Sequence, residues 1–382
     1  MPLRFLRDID RWIGSLLLYV LALPLRLLAM VYPAKPERRP RLVFLKLKGG
    51  GSLIIALPTL LGLRRKYPQA EFVLVCTLDA KIYAELTGVF DRFILIDDRS
   101  LITLAETGWR ALRGCFHAAL CLDLEYNSLL AAVFTMMTGA EQRMGLVKPE
   151  QPIRSVAYTA AISFNPSAPI YIYYDQICER LGGIPTSDPQ CRATMRALLP
   201  PPSMDKGDLL TIGIAPFTSD FARERMMPTQ TWIALLQQAY PAMPLRILIF
   251  GSARNQTAAS DLSVALGSAL PTATLTNLCG CGDLLFSAAL LTLCHELWAV
   301  DSGLLHIARA LGINTRSFWG PTMPSQRLRP MPDTHELVHY RPFICSPCIQ
   351  AFGQPPCGGR NLCMISMAQE QPDLRPAWVH SV

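Results

Sequence analysis

The sequence has no Gly-x-x-x-x-Gly-Lys-Ser/Thr loop. Its one dense glycine cluster, Lys48-Gly49-Gly50-Gly51-Ser52, has the wrong spacing, which argues against a Walker-type triphosphate site. No internal repeat of solenoid period and no extended low-complexity segment occurs, so the chain is not a repeat array. A broad basic face is missing too. Of the net charge of +7, residues 1–41 supply +5, with eight Lys or Arg against three Asp or Glu, and the rest of the chain carries only +2. That leaves no general surface for nucleic acid. No small-x-small site follows the apolar run at 12–32, which disfavours a cleaved signal peptide.

What is present is enough apolar material for two cores: 382 residues, 51% hydrophobic. Strand patterns alternate with helical ones in both halves, implying two doubly wound α/β domains. The proline-rich stretch at 200–207 is the best boundary between them. The expected division is a basic and apolar segment at 1–40, an N-terminal domain at 41–199, a linker at 200–207, a second domain at 208–344 and a Cys-rich tail at 345–382. As a helix the 12–32 run would be about 30 Å long, near a bilayer's hydrocarbon thickness. Pro24 and Arg26 leave a span and an interfacial helix equally open. Lys35, Arg38 and Arg39 after it place the body on the cytoplasmic side of the membrane surface.

The segment 298–322, WAVDSGLLHIARALGINTRSFWGPT, is the most informative. A strand runs into Asp301-Ser302-Gly303, and a helix follows with Leu304, Ile307, Ala308 and Leu311 at helical spacing. Unpaired N–H groups at such a helix start favour phosphate. Asp301 or Ser302 can equally be a plain N-cap, and His306 a plain helix residue. A second strand then ends in Gly320-Pro321-Thr322 at the same sheet edge, where open α/β sheets bind ligands.

These residues resemble bacterial glycosyltransferase family 9, the lipopolysaccharide heptosyltransferases. The family signature, an Asp-(Ser/Thr)-Gly-x-x-His helix start and a Phe-Gly-Pro-Thr turn, stands here as Asp301-Ser302-Gly303-Leu304-Leu305-His306 and Phe318-Trp319-Gly320-Pro321-Thr322. The resemblance extends from about Leu42: a strand, a glycine turn at Gly49, Gly50 and Gly51, and a helix over 53–67. Further matches are 118–145, 212–219 and Arg225-Met226-Met227-Pro228, the last resembling a basic-x-Trp-Pro motif. It implies a GT-B architecture of two Rossmann-like domains facing a cleft. It also implies a donor such as ADP-heptose, a lipid-linked saccharide acceptor, no cofactor, and a place at the inner membrane.

Residue by residue, the resemblance places Thr218 and Ser219 in the loop receiving the donor diphosphate. Arg225 stands where the family has a neutralising lysine, and arginine can grip a diphosphate in a bidentate fork. Asn255 falls near the position of the family's ribose-binding Glu, and Asp301, Ser302, Gly303, His306 and Gly320 join the donor side. The family's turn ends Gly-Asp, that Asp being the general base, whereas here it ends in Ser52. A hydroxyl cannot act as a base near neutral pH without a partner. Ser52 therefore reads as an N-cap or as a catalytic hydroxyl. Glu125, just past an apolar strand on the same edge, is the first candidate base and Asp123 the second. Both can equally be solvated turn residues.

Cys345, Cys348, Cys357 and Cys363 form a Cys-x2-Cys-x8-Cys-x5-Cys cluster able in principle to hold zinc, against free thiols or a local disulfide. The chain therefore reads as a membrane-associated, inverting, metal-independent transferase. The alternatives are a nucleotide-sugar-binding scaffold without turnover and a membrane-tethered cysteine metal module.

Overall fold

β1 (Arg41–Lys46) and β2 (Glu71–Cys76) are apolar runs, each buried over its last five residues. Strands of that kind are covered on both faces. In the computed structural model, which describes residues 3–31, 39–218, 220–351 and 356–369, they pair with four more strands. These are β3 (Arg92–Leu95), β4 (Leu120–Asp123), β5 (Gln142–Val147) and β6 (Ala160–Ser163). The sheet is parallel throughout, in the order β3-β2-β1-β4-β5-β6. A second parallel sheet contains β7 (Leu210–Ala215), β8 (Leu245–Ile249), β9 (Ala273–Asn277), β10 (Glu296–Val300), β11 (Asn314–Trp319) and β12 (Glu336–Tyr340). Its order is β12-β11-β10-β7-β8-β9.

Both sheets therefore follow one doubly wound plan, in which the strand order reverses beside the first strand. The reversal lies between β1 and β4 in one unit and between β7 and β10 in the other. Ligand crevices of such sheets open outside the carboxyl ends of these pairs. Lys46 and Asp123 end one pair, and Ala215 and Val300 end the other.

The chain divides into compact units Met1–Ser187 and Asp188–Val382. The division precedes the proline-rich stretch because the helix Asp188–Ala197 packs on the second unit, where Arg196 donates two hydrogen bonds to the Leu311 carbonyl at 3.1 and 2.8 Å. The prolines then lead into β7, and Arg246 holds the carbonyls of Asp205 and Lys206 at 2.8 and 2.5 Å. The expected helix over 53–67 is two, Gly51–Ile55 and Leu57–Lys66, parted at Ala56 just ahead of Pro58. Proline has no N–H to continue the first ladder.

The second core is aromatic. Trp298 lies 5.7 Å from Phe318 and 5.8 Å from Tyr240, and Trp232 packs edge-on against Phe318. The Cys-rich tail is part of this core: the helix Leu362–Ile365 and the turn Ser366–Ala368 bury Met364 and Met367 in it.

The N-terminal helix, Leu3–Val31, docks along the first unit. Leu18 is fully buried among Leu129, Ala132, Val133, Met136, Ala157 and Tyr158. Gly14 permits the approach, since a Cβ there would stand 2.5 Å from Cβ of Leu129. Asp10 caps the helix Leu129–Met137, accepting from Leu129 N–H at 2.9 Å, Leu130 N–H at 3.0 Å and the Ser128 hydroxyl at 2.6 Å. Among the described residues no helix is long and apolar enough to cross a membrane.

Candidate functional site

In the first unit, the glycine turn follows β1. Gly49 has φ +75°, a conformation that favours glycine, and a Cβ on Gly50 would stand 2.1 Å from the Tyr83 ring. The cap position of the next helix belongs to Gly50, so Ser52 is not the N-cap. It lies inside that helix, and its hydroxyl donates to the Gly49 carbonyl at 2.6 Å.

Glu125 is buried at the same edge. Its Oε1 accepts from Leu47 N–H at 2.8 Å and Lys48 N–H at 2.7 Å, and pairs with Lys46 Nζ at 3.2 Å. Among the described residues no donor meets its Oε2, and that oxygen is not shut away from solvent. Lys46 is nearly enclosed. Burial pushes its ammonium down, but Glu125, Tyr174 and Tyr126 together outweigh this and leave its pKa above the usual lysine value.

Asp123 is fully buried, so it is not a solvated turn residue. Arg154 (2.8 Å), the Tyr158 hydroxyl (2.6 Å) and Glu125 N–H (2.8 Å) all donate to its carboxylate. Burial raises it to about 6 against the opposing pull of Arg154 and Tyr158. Every partner of Asp123 is a group of the protein, and the result is a clamp on the loop that carries Glu125. Arg154 also bonds the carbonyls of Glu125 and Ser128, fastening both ends of that loop. Lys46 was visible in the sequence as the charged end of an apolar strand. Arg154 and Tyr158 sit in a turn with no pattern to mark them.

In the second unit, β10 runs into Asp301, and the helix Gly303–Ala310 starts two residues later. Asp301 is buried and faces Arg225 Nη1 at 3.2 Å and His306 Nε2 at 3.8 Å. Burial pushes its carboxyl up, but Arg225, His306 and Arg327 outweigh that and hold it far below the usual carboxylate range. Burial likewise lowers His306, which Asp301 only partly offsets, so the imidazole is neutral at pH 7. Ser302 holds the N-cap position without a side-chain cap bond. Its Oγ, His306 Nδ1 and Thr322 Oγ1 are buried with no partner among the described residues. Unpaired buried polar atoms are costly and call for a reason. Three of them on residues at or beyond the carboxyl ends of β10 and β11 suit a polar ligand. Arg225 ends the turn Asp220–Arg225, and Thr218 follows β7 onto the same edge. Ser219 lies outside the described residues.

Two of the expected donor-side residues also have local roles within the protein. The Asn255 amide oxygen accepts from Ser252 N–H (3.1 Å) and Ser252 Oγ (2.8 Å), closing its own turn. Gly320 answers to packing: a Cβ there would lie 2.6 Å from Cys363 Sγ and 3.0 Å from Met364 Sδ. Among the described residues, no group of three or more His, Cys, Asp or Glu is placed to hold a metal ion. Cys345, Cys348, Cys357 and Cys363 are all free thiols. Cys348 is buried and Cys363 packs on Gly320. Burial pushes the half-buried Cys357 thiol up, but backbone N–H groups of Asn361, Gly359 and Arg360 together outweigh this and leave it below its ordinary value.

Solved structures with the same fold include glycosyltransferase family 9 from Veillonella parvula, with 16% identity, TM-score 0.60, and 80% of this chain covering 87% of that one. ADP-heptose LPS heptosyltransferase II from E. coli gives 18% identity and TM-score 0.57, with 78% and 89% covered. E. coli heptosyltransferase WaaC with ADP-2-deoxy-2-fluoro heptose gives 16% and 0.59, with 86% and 97% covered. No curated protein sequence matches the chain. The family model described as glycosyltransferase family 9 (heptosyltransferase) matches residues 107–353, well over half the sequence. The chain belongs to glycosyltransferase family 9, the heptosyltransferase family.

Proposed function

We propose that this family member moves a heptose-like sugar, with inversion, from a nucleotide diphosphate donor to a lipid-linked saccharide such as lipopolysaccharide core. The observation that carries the reading is the buried cluster at the end of β10: Asp301 paired with Arg225 beside a helix start, with unpartnered Ser302 and His306 atoms. The donor diphosphate would take the helix N–H groups and the positive field of Arg225 and Arg327, which stabilise the leaving group electrostatically. No metal is needed in this scheme. Asp301 acts as a positioning residue that holds Arg225. ADP-heptose is the first candidate donor, supported by the E. coli heptosyltransferase structures that hold ADP and a fluorinated ADP-heptose.

At the other end of the reaction, Glu125 Oε2 takes the proton of the acceptor hydroxyl. The acceptor oxygen then attacks the anomeric carbon from the face opposite the diphosphate, and the carbon–oxygen bond to the diphosphate breaks, its electron pair leaving with the diphosphate. Oε1 stays fixed by the β1 turn, so the base is oriented by its own ties. A second reading, a donor-binding scaffold without turnover, is favoured by Ser52, whose hydroxyl is spent on Gly49. Calorimetric titration with ADP, UDP, GDP and CMP, repeated on Asp301→Ala, tests the donor site. Selective ADP binding lost in the variant supports the proposal. Selective UDP or GDP binding moves the enzyme to another sugar, and no binding to any nucleotide overturns it.

A further inference from the structure

The N-terminal helix is apolar on two opposite faces. One is satisfied by the first unit through Gly14 and Leu18. The other carries Trp12 (77% exposed), Leu16 (61%), Tyr19 (70%), Val20 (57%) and Leu23 (66%), spaced at one helical face. Five large apolar side chains in a row on the outside of a docked helix form a patch that a monomer in water does not ordinarily keep. We infer that this face lies in the headgroup region of an anionic lipid membrane, so that the helix rests on the bilayer with its inner face on the first unit.

Three observations select lipid as the occupant. Residues 1–41 carry +5 of the chain's +7, and Arg11 is exposed one residue before the stripe. That charge complements an anionic surface, with each basic residue adding attraction that salt screens. Trp12 and Tyr19 combine an apolar body with a polar tip, the composition of the membrane–water boundary. The helix is also pinned along its length, by Asp10 on the cap of Leu129–Met137 and by Leu18 in the core beyond it. Its inner face is taken by protein, which is the geometry of a helix lying in the interface.

The inference deepens the proposed function and rests on it for one consequence. Asp10 bonds Ser128 and Leu129, only three and four residues after Glu125, so the helix passes beside the sheet edge that holds the candidate base. A membrane along the outer stripe would bring a lipid-linked acceptor to that edge.

The test is flotation of the full chain with vesicles of phosphatidylethanolamine and phosphatidylglycerol, against phosphatidylcholine alone, at low and high salt. Binding is expected to the anionic vesicles and to weaken with salt. The double variant Leu16→Glu/Leu23→Glu should lower it at least about tenfold, since two apolar side chains no longer leave water. Its thermal midpoint should stay that of the native chain, because both residues face outward. No flotation on anionic vesicles, or equal flotation of the variant, overturns the inference. So does a purified dimer that the variant turns into a monomer without any vesicle binding, for then a second copy covers the stripe. ADP titration of the same preparation separates the two proposals: nucleotide binding without flotation sinks only this one, and flotation without nucleotide binding sinks only the transferase.

Discussion

Lys46 and Glu125 form a buried ion pair 3.2 Å apart that joins the end of β1 to the loop after β4, across the point where the sheet reverses its strand order. Lys46 Nζ also reaches the Leu124 carbonyl at 3.4 Å. Removing one partner of such a pair leaves the other charge buried and uncompensated, which costs more than the pair itself is worth. Lys46→Met is therefore expected to destabilise the first unit by about 3 kcal/mol. Denaturant unfolding of the full chain, followed by a probe in that unit, checks this. An unchanged midpoint would mean that Glu125 takes up a proton or a solvent contact when Lys46 goes.

Glu125→Gln separates the structural role of this side chain from its chemical one. The amide oxygen can still accept from Leu47 and Lys48 and from Lys46 Nζ, so the turn should persist at some loss of stability from the uncompensated Lys46 charge, while the capacity to take a proton is lost. Turnover with donor and acceptor is expected to fall by about 10² or more, the usual contribution of a positioned base, with ADP affinity unchanged. A rate like that of the native chain would remove Glu125 from the base role. Asp123 is a poor substitute, because its carboxylate is enclosed and clamped by Arg154 and Tyr158.

Much of this was legible because the signals are local. Apolar runs such as Leu42-Val43-Phe44-Leu45 mark strands buried on both faces, and Asp301 and His306 fall at a strand end and on the helix that follows it. The clamp on Asp123 was not legible, since Arg154 lies 31 positions away and reaches it only through tertiary packing. The N-terminal run shows a different limit. Periodicity reveals that a face is apolar, but not whether lipid or protein meets it, and here Gly14 against Leu129 decides that one face meets protein. Asn255 and Gly320 occupy family positions, yet their local uses, a closed turn and a tight contact with Cys363, depend on neighbours distant in sequence or on side-chain geometry.

The second unit should be acid-sensitive in two steps. His306 has a folded pKa below its ordinary 6.5, so below about pH 6.5 the unfolded chain binds a proton that the folded chain refuses. Stability supplied by the neutral imidazole is present above that pH and is lost as pH falls. His295, also lowered chiefly by burial, acts in the same direction. Asp301, held far below its ordinary 3.8, adds a second loss once pH drops below about 4, where the unfolded carboxyl protonates first. Denaturant midpoints measured at about pH 7.5 and about pH 5 should fall in the native chain and fall less in His306→Gln. Equal slopes would mean that His306 is not held neutral by the fold.

Gly320→Ala offers a test of whether that glycine serves the ligand or the core. The new Cβ would meet Cys363 Sγ at 2.6 Å and Cys363 Cβ at 2.8 Å, inside any normal contact, and Met364 behind it is fully buried in the core. Overpacking of this kind costs about 1–3 kcal/mol, because the helix Leu362–Ile365 must shift on the core that holds Met364 and Phe318 or the side chains must leave their rotamers. The substitution should lower the thermal midpoint of the second unit. Adding Cys363→Ala should restore part of it, since the Sγ contact vanishes while the Cβ contact at 2.8 Å stays. The two residues touch, so their effects should be non-additive, with the pair less destabilised than the sum. If Gly320→Ala instead leaves stability intact and selectively weakens nucleotide binding, the glycine is there to let the donor approach, and the contact with Cys363 is incidental.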